Sequence, residues 1–387
     1  MFQPMNDQDT NGAAKPAPAE PDGMQDRDFT GGNIASIPDH ERTSVGDVSV
    51  DARIGRLVDS WLGENPRSDL VSELVMNALK VGRDNTAVAD LKLINRALRE
   101  MRRANKIFES YRHVRKVSVF GSARTRPEEP AYGAASEFAR RMAAQGYMII
   151  TGGGDGIMAA AQHGAGRESG FGLNIQLPFE QSANATIHGD PKLLSFKYFF
   201  TRKLSFVKEA DAFAAFAGGF GTIDETFEAL TLIQTGKATV MPIVLIDALG
   251  GDYWQQVLYF CEKQLLARRL ISEDDLRLFK VTSDLDEAVR EIIRFYKTFH
   301  SYRYVGKKLA IRLKWRLTPG AVAGLNDTFA DLFKGTLEQR SALPDEANEE
   351  GILHLPRLVG AFSNRSFGRL RQFIDAINAA ELVKVKT

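Results

Sequence analysis

The chain has 387 residues, 44% hydrophobic and 26% charged, with 50 basic against 49 acidic side chains and a net charge of +1. That length accommodates one large or two to three ordinary domains with a substantial core, and the charge balance excludes the global positive field of a nucleic-acid or anionic-membrane binder. The single cysteine, Cys261, excludes an intrachain disulfide framework and points to a cytoplasmic protein, while no stretch approaches the ~20 apolar residues that span a bilayer.

In chain order, residues 1–46 are rich in Asp, Pro, Gly, Asn and Ala and read as a disordered tail that lacks the basic start and apolar core of a signal peptide. Residues 47–112 read as a helical N-terminal extension: Ile54, Leu57, Val58 and Trp61, then Leu70, Leu74, Val75 and Leu79, recur at helical spacing, and a third helix is expected over 88–111. Residues 113–297 alternate apolar runs (116–121, 147–152, 171–177, 212–217, 241–247 and 278–282) with helix-like stretches (131–145, 157–166, 223–235 and 253–267). This predicts an α/β fold, a doubly wound, Rossmann-like parallel sheet with ligands at the carboxyl ends of its strands. Residues 298–387 read as a basic C-terminal extension. Leu309, Ile311, Leu313, Trp315 and Leu317 alternate there with Lys308, Arg312, Lys314 and Arg316, predicting a half-buried strand whose cations form a solvated face or subunit contact, or else a regulatory anion site.

Three predicted strands end in small residues: Gly121-Ser122-Ala123, Gly152-Gly153-Gly154-Asp155-Gly156 and Gly218-Gly219-Phe220-Gly221-Thr222. Such turns let a backbone approach a ligand, and the helix that follows adds free N–H groups and partial positive charge, so a phosphate is the natural guest. Gly121, Ser122, Gly153, Gly154 and Gly218 are therefore candidate substrate-binding residues. A nicotinamide cofactor is disfavoured, because the strand after the middle loop ends Gln176-Leu177-Pro178 without a ribose-binding acid. The P-loop signature is missing as well. A mononucleotide or sugar phosphate remains.

Upstream of the third loop, Arg202 and Lys203 lie among aromatics in Tyr198-Phe199-Phe200-Thr201-Arg202-Lys203 and could pair a phosphate or carboxylate. Two acids, Asp224 and Glu225, stand inside the loop itself. Glu225 has a purely structural alternative, since Thr222-Ile223-Asp224-Glu225 matches a capping box. The six histidines show no paired metal-ligand spacing, so no metal and no other cofactor is expected.

Roughly from Val117 to Ile293 the chain resembles the LOG family, the "Lonely guy" cytokinin-activating phosphoribohydrolases often mislabelled lysine decarboxylase. Its Pro-Gly-Gly-x-Gly-Thr-x-x-Glu signature is matched by Ala217-Gly218-Gly219-Phe220-Gly221-Thr222-Ile223-Asp224-Glu225, its upstream Arg-Lys pair by Arg202-Lys203, and its second glycine segment by Gly152 to Met158. Ala217 departs from the family's proline and Ala123 from a frequent serine; the stretch 172–181 resembles the longer bacterial branch. The resemblance implies hydrolysis of the N-glycosidic bond of a purine nucleoside 5′-monophosphate, of the AMP or cytokinin riboside type, to free base and ribose 5-phosphate. It places Arg202 and Glu225 at catalytic positions, and Gly219, Gly221 and Thr222 in the phosphate loop, with Lys203 and Asp224 beside them. It also implies a homo-oligomer, dimeric or larger. The alternative is a non-catalytic nucleotide or molybdenum-cofactor carrier on the same fold.

Overall fold

The computed structural model describes residues 43–384 apart from 64, 66, 178–182, 348, 364 and 365. The expected disorder of residues 1–42, and positions 178–181 of the branch-typing stretch, lie outside the described residues. Val45, inside the stretch read as tail, is buried against Ile54, Val58 and Met76.

Among the described residues, the first named helices are α1 (Val48–Leu62), α2 (Ser68–Arg83) and α3 (Val88–Glu109). Asp47 starts α1, its Oδ1 accepting from the N–H groups of Ser49 and Val50, an N-cap worth about 1 kcal/mol. The spacing expected to mark a core face does so only in part. Ile54 and Val58 are buried, but Leu57, Trp61, Leu70, Leu74 and Leu79 remain exposed.

The central elements run β1 (Lys116–Phe120), α4 (Pro130–Ala144), β2 (Met148–Thr151), α5 (Ile157–Ala165), β3 (Gly170–Ile175), β4 (Leu193–Phe196), α6 (Phe199–Glu209), β5 (Ala212–Phe216), α7 (Phe220–Gln234), β6 (Ile243–Ile246), α8 (Tyr253–Phe260), β7 (Phe279–Thr282) and α9 (Leu285–Phe295). The seven strands form one parallel sheet in the order β4-β3-β2-β1-β5-β6-β7, the expected doubly wound α/β architecture. Because strand side chains alternate between faces, Val117, Val119, Ala212, Ala214 and Phe216 pack against α4, α5 and α9. Phe120, Phe213 and Ala215 pack the other way, against Phe108 of α3, Phe206 of α6, Ile233 of α7 and Trp254 of α8. Both faces are thus covered, which is why these strands read as continuous apolar runs. Strand order reverses between β1 and β5, and a ligand crevice is expected outside the carboxyl ends there.

A second sheet follows, antiparallel, in the order β10-β11-β9-β8, from β8 (Phe299–Val305), β9 (Lys308–Leu313), β10 (Phe333–Arg340) and β11 (Arg357–Phe362). It is accompanied by α10 (Pro319–Thr328) and α11 (Phe367–Ala379). The expected half-buried strand with solvated cations is corrected at Arg312: Lys308 and Arg316 are exposed, but from Leu309 to Leu313 β9 is buried on both faces. Leu309, Ile311 and Leu313 join the core shared with the parallel sheet, and on the opposite face Arg312 is fully buried against Glu346. α11 reaches back to the end of α7. There Gly236, at φ 71°, leaves the space that Phe367 fills; a Cβ would lie 2.2 Å from the ring.

Candidate active site

At the strand-order reversal the carboxyl ends of β1 and β5 open into a pocket of about 800 Å³. Its floor and near wall are Gly121, Ser122, Gly218, Gly219, Gly221 and Thr222, and Arg202, Asp224 and Glu225 also line it. The two loops are tied together: Ser122 N–H donates to Ala217 O at 3.0 Å. Gly218 is required by this packing, since a methyl there would lie 2.2 Å from Thr222 Oγ1 and 3.0 Å from Ser122 N. Gly219 and Gly221 face open space. Their lack of a side chain leaves the start of α7, with its unsatisfied N–H groups, open to a ligand.

The capping-box alternative for Glu225 is not what forms. α7 begins at Phe220, with Gly219 as N-cap and no side-chain cap, three residues before the expected start. Glu225 is instead buried, and Arg202 Nη2 donates to its Oε1 at 3.4 Å. The Arg202 guanidinium lies 5.6 Å and 5.4 Å from the ring centroids of Phe199 and Phe206. Its Nε is buried and makes no hydrogen bond among the described residues. Burial pushes the Glu225 carboxyl up to about 7, outweighing the pull of Arg202 and Lys203. Burial likewise draws Arg202 below its ordinary value, although a guanidinium stays charged. A carboxylate poised near neutrality beside a fixed cation can take a proton from water or face a developing positive charge.

Three sequence candidates lie elsewhere. Lys203 is not on the pocket wall; its Nζ bridges Asp224 Oδ2 at 2.7 Å and Glu228 Oε2 at 2.9 Å. Gly153 and Gly154 do not line the pocket, because Asn184 Nδ2 takes both of their carbonyls, at 3.1 and 3.0 Å. From that loop Gly152 and Met158 reach the pocket instead. Sequence reading missed Arg124 and Tyr253, while Phe199, one of the aromatics beside Arg202 that could stack on a base, does line the pocket. Arg124 stands three residues beyond the first glycine and was in plain view, whereas Tyr253, whose Oη donates to Gly218 O at 2.7 Å, comes from α8 and gave no local signal. Among the described residues no group of three or more His, Cys, Asp or Glu is arranged to hold a metal ion.

Residues 155–292 match a family model described as "Possible lysine decarboxylase". A probable cytokinin riboside 5′-monophosphate phosphoribohydrolase of Oryza sativa subsp. japonica, LOGL2, is 29% identical over 154 residues, 38% of this chain and 60% of that protein. Arabidopsis thaliana LOG2, a cytokinin riboside 5′-monophosphate phosphoribohydrolase, is 27% identical over 176 residues, 42% of this chain and 79% of that protein. Among solved structures, the molybdenum cofactor binding protein of Rippkaea orientalis is 22% identical with a TM-score of 0.33, covering 46% of this chain and 98% of that one. By its motifs, the family model and the two plant sequences, the central region of this chain is similar to the LOG family of phosphoribohydrolases.

Proposed function

We propose that this chain hydrolyses the N-glycosidic bond of a purine nucleoside 5′-monophosphate, releasing the base and ribose 5-phosphate. The observation that carries the reading is the Arg202–Glu225 pair buried beside an open, glycine-edged helix start in one pocket. Similarity of the central region to phosphoribohydrolases supports it. The first N–H groups of α7 hold the 5′-phosphate. Glu225 lies five residues further along the helix, roughly 7 Å at 1.5 Å per residue, a distance on the scale of a ribose phosphate. Anion and acid therefore serve opposite ends of one substrate.

As the C–N bond breaks, the leaving base takes the bonding electrons and a proton from solvent, balanced when Glu225 later releases to solvent the proton it takes from water, and positive charge develops on the ribose. Glu225 stabilises that charge and accepts the proton of the attacking water. Arg202, lying near the rings of Phe199 and Phe206, keeps the carboxylate in place. The exposed rings of Phe199 and Phe220 offer stacking faces for the base. Incubating the purified chain with AMP and following adenine and ribose 5-phosphate by chromatography tests the reading. Intact AMP at high enzyme concentration overturns it, and tight nucleotide binding without turnover assigns the chain to the carriers instead.

A further inference from the structure

Charges around the pocket do not suit a phosphate unless one more group takes part. Along α7, Lys203 is shared between Asp224 and Glu228, and Arg202 is committed to Glu225, so three acids face two bases. A phosphate monoester brings a further ≈ −1.5 to −2 charges near neutral pH, whereas a helix start supplies only about half a positive charge. With both bases already paired to acids, neither Arg202 nor Lys203 is left over to meet a phosphate. Across the strand-order reversal, however, the loop after β1 carries Arg124 on the pocket wall. Arg124 is exposed and, among the described residues, pairs with no acid. Its backbone N–H donates to Ser122 Oγ at 3.0 Å, and Ser122 N–H is tied to Ala217 O just before Gly218. The Arg124 backbone is thus anchored beside the glycine turn while its planar fork of donors stays uncommitted, the arrangement suited to bidentate phosphate binding.

We propose that Arg124 is the phosphate clamp of this pocket and sets its preference for 5′-monophosphates over unphosphorylated nucleosides. The proposal rests on the glycosidase reading above for the position of the phosphate. Calorimetric titration of the full chain with ribose 5-phosphate at low ionic strength, in wild type, Arg124→Ala and Arg124→Lys, tests it. Arg124→Ala is expected to weaken binding about tenfold or more, with Arg124→Lys between the two, as loss of a charge-assisted bidentate contact implies. The KM for AMP rises in parallel while kcat stays within about threefold, the signature of lost uniform binding. Because the side chain is exposed, the melting temperature should not move. An Arg124→Ala dissociation constant within twofold of wild type overturns the assignment. Should wild type bind ribose 5-phosphate yet leave AMP intact, the glycosidase reading fails while the binding ratio still judges Arg124. No binding by wild type sinks both.

Discussion

The two sheets each bury a glutamate against arginine and set it to opposite purposes. In the antiparallel unit Glu346 is fully buried with Arg312 and Arg357, receiving Arg312 Nε at 2.9 Å, Arg357 Nε at 3.2 Å and the Leu343 N–H at 3.0 Å. Burial alone would raise its carboxyl, but those donors hold it below the usual value. In the parallel unit Glu225 is nearly as buried, yet one long contact from Arg202 is the hydrogen bond it receives among the described residues, and burial prevails. The number of donors aimed at a carboxylate, more than the presence of a cation, decides whether it is a fixed anion or one poised to exchange a proton. The first kind closes a core; the second leaves a pocket open.

The sharpest way to break this contrast is Glu225→Gln, which should cut turnover of AMP by about 10²- to 10⁴-fold while the thermal melt shows a folded protein. Unchanged turnover would make Glu225 a mere packing residue. Glu346→Ala should do the reverse, costing about 3–5 kcal/mol in urea denaturation because two arginines lose their buried partner. Next in size come the glycines. Gly218→Ala should destabilise by about 1–3 kcal/mol through its clash with Thr222, whereas Gly221→Ala should keep its melting temperature and raise the KM for AMP. The smallest effect is in pH. Glu225, raised in the fold, contributes stability that is complete below its ordinary pKa of 4.5 and lost as pH rises towards about 7. Glu346, depressed in the fold, contributes stability present above 4.5 and lost as pH falls below it. Over the rising limb near pH 7, kcat/KM should grow as Glu225 ionises, and Glu225→Gln should flatten both that limb and the corresponding slope of stability.

Much of the parallel sheet was legible because its strands, covered on both faces, are unbroken apolar runs. β4 was missed, as four residues reading Leu-Leu-Ser-Phe give too short a pattern. β10, Phe-Lys-Gly-Thr-Leu-Glu-Gln-Arg, hides for another reason, since its polar residues sit on an exposed face. The buried charges of β9 could not be foreseen from alternation alone: their partner, Glu346, comes 34 residues after Arg312. In the site, Arg202 and Glu225 were legible through their motif although 23 residues separate them. The capping-box alternative for Glu225 does not form, because the helix starts at Phe220, ahead of Thr222.

The ring of Phe367 seated over Gly236 has a practical corollary. It closes off the far end of α7, the helix whose near end carries Glu225. Gly368 deepens the lock, because any side chain there would collide with the Asp274 carbonyl. Trimming this chain to its parallel-sheet unit removes that contact, and turnover of AMP by the trimmed piece against the full chain is the measurement that checks the expected loss.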